Sequence, residues 1–130
     1  MQQNSEIEKF ITQANINLQN LFEILPVGAI FFDEKWNVVS ANTNKIKIIC
    51  SAKKIEIEKK INIFTHFYLS SILPLNKIFS MKNGNNFEDE IKELSNQQND
   101  NEKVIVKGIP FVEENNFKGG LLLLEKMNIN

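Results

Sequence analysis

Residues 26–42, Pro-Val-Gly-Ala-Ile-Phe-Phe-Asp-Glu-Lys-Trp-Asn-Val-Val-Ser-Ala-Asn, leave this chain few ways to fold. Pro26 and Gly28 mark a beginning, and Ile30, Phe31 and Phe32 are side chains that suit a pleated, half-buried surface. Residues 33–37 supply turn formers, and Val38 with Val39 resumes the strand pattern. Asn42 is placed to cap a helix. The segment reads as a short strand, a tight polar turn, a second strand and the start of a helix.

The 130 residues are expected to form one domain, a size that buries roughly two-thirds of the unfolded surface. Hydrophobic content of 42% and charged content of 24% are those of an ordinary globular protein. A net charge of -1 gives no footprint for nucleic acid, whose binders carry a basic excess. All 15 basic residues are lysines, so no guanidinium fork exists for phosphate or carboxylate. Cys50, the single cysteine, forms no internal disulfide and begins no zinc ribbon. The polar N-terminus does not read as a signal peptide, and no apolar run approaches the roughly 18 residues of a membrane span. The expected setting is the cytoplasm.

Residues 5–25 lack Gly and Pro, and Ile7, Phe10, Ile11, Ala14, Leu18, Leu21, Phe22 and Leu25 recur at helical spacing. Ser5 with Glu8 has the form of a capping box, and Pro26 ends the helix. Its stripe fits packing on its own domain, and equally pairing with a second copy through Ile7, Phe10, Ile11, Ala14, Leu18 and Leu21. A second helix is expected over residues 43–50, and residues 52–63 read as a short helix or an extended turn. A longer amphipathic helix is predicted over residues 64–81, broken or kinked by Pro74. After Asn83-Gly84 come three predicted strands, at residues 87–95, 103–112 and 117–126. In the last, Leu121 to Leu124 is apolar on both faces, as in a central strand covered on both sides.

Leu25-Pro26-Val27-Gly28, Asp33 at the turn, Asn42 at the helix start, and the closing Gly108-Ile109-Pro110 and Gly119-Gly120-Leu121 segments resemble, in order and spacing, the PAS domain of bacterial signal-transduction proteins. The resemblance implies an α+β fold: a five-stranded antiparallel sheet with helices on one face over residues 23–128, preceded by an amphipathic helix over residues 1–22. It also implies a sensory module that binds a small ligand or mediates dimerisation and relays a signal to a histidine kinase or diguanylate cyclase output domain. The alternative is a ligand-free scaffold of the same fold that pairs proteins. Two places depart from the family pattern: Cys50-Ser51, where a Gly is common, and Lys126-Met127-Asn128, where an Asp-Ile-Thr-like triplet usually leads to the output helix.

If a ligand binds, the resemblance places it between sheet and helices. The liners are then Ile30, Phe32 and Val39 from the first hairpin, Ile49, Phe67, Ile72 and Phe79 from the helices, and Ile91, Val106 and Leu122 from the later strands. The same residues equally fill a core, and a ligand held by them would be small and apolar. In haem-binding relatives a histidine on the long helix holds iron. His66 lies early in that helix, and arginines for the propionates are lacking, so it reads as a surface or capping residue. Cys50 lies in no flavin-bonding motif and reads as a buried structural thiol. Lys53, Lys54, Lys59 and Lys60, with Glu56 and Glu58 between them, read as a solvated face. Asp33, Glu88, Asp89 and Glu90 pair with no nucleophile or metal-ligand set, and no catalytic motif occurs, so neither enzyme activity nor a resident cofactor or metal is expected.

Overall fold

The computed structural model describes residues 26–50, 57, 60–92, 94 and 102–128. The helix expected over residues 1–22, with its pairing positions, lies outside them, as do Lys53, Lys54 and Lys59. The described elements are β1 (Gly28–Asp33), β2 (Val38–Ala41), α1 (Thr43–Cys50), α2 (Leu69–Ile72), α3 (Leu75–Ser80), a 3-10 turn (Met81–Asn83), β3 (Phe87–Glu90), β4 (Glu102–Glu113) and β5 (Asn116–Asn128). The five strands form one antiparallel sheet in the order β2-β1-β5-β4-β3. Thus β5, last in the chain, is central and bonds both β1 and β4.

The β1–β2 turn is organised by Asp33. Its carboxylate accepts the N–H groups of Lys35 (2.9 Å) and Asn37 (3.0 Å), and its carbonyl accepts that of Trp36 (2.9 Å). The turn puts Trp36 at φ 70, a left-handed conformation costing a non-glycine residue about 1–2 kcal/mol. Aromatic packing offsets that cost: the indole lies 5.5 Å from Phe32, 5.1 Å from Phe64, 6.0 Å from Phe79 and 5.1 Å from Phe117 between centroids. Residues 60–63 then run beside β2, where Ile61 accepts the Val38 N–H at 2.7 Å and Lys60 donates to the Val38 carbonyl at 2.8 Å.

Asn42 does more than begin a helix. Its carbonyl accepts the Lys45 and Ile46 N–H groups that open α1. The buried side chain reaches across to β1, accepting from Ala29 N–H at 2.6 Å and donating to the Val27 carbonyl at 2.7 Å. The side-chain amide thereby extends the β1 ladder by standing in for a backbone peptide.

The helix expected over residues 64–81 is two short ones. Residues 63–68 form turns, α2 begins at Leu69, and the chain breaks at Leu73, whose ψ of 147 is the extended conformation that a following proline enforces. The first of the later strands is shorter than expected: β3 ends at Glu90, and after the Ile91 N–H bonds Val104 the chain turns. Leu122 and Leu124 are wholly buried under the helices, whereas Leu121 and Leu123 are only half-buried on the other face. One core lies between the sheet and α1–α3, filled by Ile30, Ile46, Leu69, Ile78, Met81 and the inward leucines of β5.

Candidate functional site

Seven of the ten expected pocket liners meet in that core: Ile30, Phe32, Ile49, Ile72, Ile91, Val106 and Leu122 are all buried in one cluster. The other three point elsewhere. Val38 takes the inward place opposite Phe32, where the β1–β2 register shifts, and turns Val39 to solvent. Phe67 sits in the turn before α2 and is 77% exposed. Phe79, on the outer side of α3, packs its ring at the rim on Trp36 and Phe64, with Lys82 Nζ 3.9 Å above it. A length of helix starting at residue 64 would have turned Phe67 inward; the later start of α2 places it outside.

The space over the middle of β4 and β5 is set by residues that apolar periodicity did not single out. A Cβ on Gly108 would collide with the Phe87 ring and lie 2.9 Å from Met81 Sδ. One on Gly120 would lie 2.8 Å from both Met81 Cε and Phe32 Cζ. Gly108 and Gly120 therefore let Phe87, Phe32 and Met81 rest directly on the sheet backbone. A glycine inside a strand pattern is the sequence signal for such an approach. An open groove lined by Ala41, Asn42, Thr43, Asn44, Lys45 and Ile48 lies instead at the start of α1, outside the core.

The titratable groups near the core are arranged for structure. Cys50 is buried, and burial pushes its thiol up to about 11, against smaller opposing effects of the hydrogen bond from Tyr68 and of Lys126. Burial likewise raises the Tyr68 phenol. A thiol held this way is a weak nucleophile at neutral pH. His66 Nδ1 accepts the Leu69 N–H at 3.1 Å, capping α2. Asp89 pairs with Lys77 at 3.3 Å and accepts the Glu90 N–H at 2.8 Å, and Glu88 pairs with Lys107 at 3.5 Å. Among the described residues no group of three or more His, Cys, Asp or Glu is placed to hold a metal, and no helix is long and apolar enough to cross a membrane.

No protein-family model matches the chain, and no curated protein is similar to it in sequence. Solved structures are similar in shape. A sensory box sensor histidine kinase from Vibrio cholerae superposes with a TM-score of 0.59 at 14% identity, covering 94% of this chain and 98% of that one. The PAS domain of a Colwellia psychrerythraea protein gives 0.59 at 12% identity over 88% of this chain and 98% of its own. A C-terminal domain from Streptococcus mutans gives 0.58 at 15% identity, covering 88% and 83%.

Proposed function

The chain has the PAS fold, and we propose that it is a sensory or regulatory module that relays a signal to an output domain of the histidine kinase or diguanylate cyclase type. The observation that carries this reading is the position of β5. It is hydrogen-bonded along its length to β4 and, over Gly119–Leu124, to β1, where the chain enters the domain, and it carries core residues Leu122 and Leu124. A change in the packing of the helices over those leucines is therefore passed to the strand that ends the domain. In this reading the module works in the cytoplasm as a homodimer held by the helix before Pro26, with no catalytic step, no resident cofactor and no nucleic acid. A stimulus favouring one packing a hundredfold would shift the equilibrium by about 2.7 kcal/mol.

How the packing is biased has two readings. One is a small apolar ligand between sheet and helices. The other is a ligand-free module set by protein contacts, and the seating of Phe87 and Met81 on Gly108 and Gly120 favours it, because side chains fill the middle of that space. Native mass spectrometry of the purified protein separates them: a bound non-protein mass supports the ligand, and its absence the filled core. The relay itself is tested by a chimera in which residues 1–128 replace the sensory domain of a histidine kinase. Autophosphorylation that changes with Phe87→Ala or Met81→Ala is the expected result. A kinase indifferent to both rejects the relay.

A further inference from the structure

Asn83-Gly84 is the one place in the chain where an asparagine precedes a glycine. Asn83 closes the 3-10 turn, and Gly84 caps it at φ 84 and ψ 14, the left-handed conformation that glycine adopts at no steric cost. Both residues are exposed, and a Cβ on Gly84 would meet nothing nearer than Val112 Cγ2 at 3.9 Å. Among the described residues no hydrogen bond holds the Asn83 carboxamide, whereas that of nearby Asn85 donates to the Ser80 carbonyl at 3.4 Å. The Gly84 N–H is held: it donates to the Met81 carbonyl at 2.9 Å. An electrophilic carboxamide carbon thus stands next in the chain to an unshielded peptide nitrogen, with one backbone hydrogen bond restraining that nitrogen.

We propose that Asn83 is a self-modification site, converted through a cyclic imide with Gly84 to aspartate and isoaspartate whenever the Met81–Gly84 turn opens. The Gly84 nitrogen forms a bond to Asn83 Cγ, the bond from Cγ to Nδ2 breaks, and the proton of the Gly84 nitrogen leaves with that amide as ammonia. Water then opens the five-membered imide. Cleavage at Cγ gives aspartate, and cleavage at the main-chain carbonyl carbon gives isoaspartate. One water is consumed for each ammonia released, and nothing is oxidised or reduced. Glycine permits the closure because no Cβ crowds the attacking nitrogen. The hydrogen bond to Met81 opposes it, so the nitrogen reacts only from the opened turn, and a single exposed turn at the end of an element opens readily. The product bears on the core, because only residues 84–86 separate the turn from Phe87. Isoaspartate lengthens the main chain there by one carbon and sets a negative charge beside Lys82. Both changes fall between Met81 and Phe87, the two side chains that rest against Gly108. The conversion needs no signal and no output domain.

The test is incubation of the full chain at mildly alkaline pH, followed by tryptic mass spectrometry and methylation by an isoaspartyl methyltransferase. Cleavage after Lys82 and Lys92 releases residues 83–92, so Asn83, Asn85 and Asn86 are compared within one peptide. Acid at position 83 is expected to accumulate at least about tenfold faster than at 85 or 86, with isoaspartate among the products. Asn83→Gln should abolish the methylation at this site, since its longer side chain cannot close a five-membered ring. Unfolding in guanidinium chloride frees the Gly84 N–H and should speed the conversion by about tenfold or more. Asn85 or Asn86 converting as fast as Asn83 overturns the proposal, as does an Asn83 that stays intact in the native chain while the unfolded chain converts. A native rate equal to the unfolded one also overturns it, because the turn would then exert no control.

Discussion

Gly108→Ala isolates the close packing at the centre of the sheet. Alanine in a strand is intrinsically favoured over glycine by roughly 0.5–1 kcal/mol, so on an open strand the change would stabilise. Here the new methyl collides with the edge of the Phe87 ring and sits 2.9 Å from Met81 Sδ. Met81 can shift its unbranched side chain, but the ring stands nearer and must swing outward from β3 and give up its seat on the sheet. Overpacking of this kind costs about 1–3 kcal/mol, which outweighs the propensity gain and leaves a net loss of about 1–2 kcal/mol. Phe87→Ala alone should cost about 2 kcal/mol, below the range for a fully buried aromatic because the ring is half-exposed. In the double variant the methyl has the space the ring vacated, so the two losses should fall short of additivity by about 1–2 kcal/mol. Urea unfolding of the four proteins measures this cycle. Additive losses, or a stabilising Gly108→Ala, would refute the packing and with it the argument for a filled core.

Asn42→Ala deprives the Ala29 N–H and Val27 carbonyl of their side-chain partner and should cost about 3 kcal/mol by chemical denaturation, while Asn42→Asp, which keeps only the acceptor, falls between. His66→Ala removes the acceptor for the Leu69 N–H and should cost about 1 kcal/mol, most of it recovered by His66→Asn; equal losses in both variants would place the histidine's contribution elsewhere. The Cys50 thiol titrates at about 11 in the fold against 9.0 ordinarily, so the stability linked to it is intact below about pH 9 and lost as pH rises toward 11. The loss approaches about 2–3 kcal/mol, and comparing denaturation midpoints of the native protein and Cys50→Ala at pH 8 and pH 10.5 should show the variant less sensitive to alkali. A native protein as alkali-tolerant as the variant would contradict the burial of that thiol.

The opening hairpin and the strand count were legible because each depends on neighbours in sequence: Asp33 bonds within its own turn, and inward and outward residues alternate along each strand. The errors sit where geometry depends on something distant. The helical period of residues 64–81 predicts Phe67 inside, but the helix starts only at Leu69, after residues 60–63 have bonded alongside β2. Two adjacent valines, Val38 and Val39, offer no internal signal of which one faces the core; a register shift opposite Phe31 and Phe32 decides for Val38. The sequence marks Asn42 as the start of a helix, while its reach to residues 27 and 29 depends on β1 and α1 lying side by side in the fold.

The question of a ligand site illustrates the same limit and a way past it. A set of apolar residues assigned to an interior is compatible with a cavity or with a packed core, since both are lined by the same side chains. Glycines in strands carry the missing information, because each reports what stands against the backbone. At Gly108 and Gly120 that is Phe87, Met81 and Phe32, so a ligand over the centre of the sheet would have to displace at least one of them. Met81, unbranched and wholly buried, is the one whose rotamers allow it at least cost. In the proposed relay, the packing of Met81 against β4 and β5 is therefore where a disturbance of the core reaches β5 most directly.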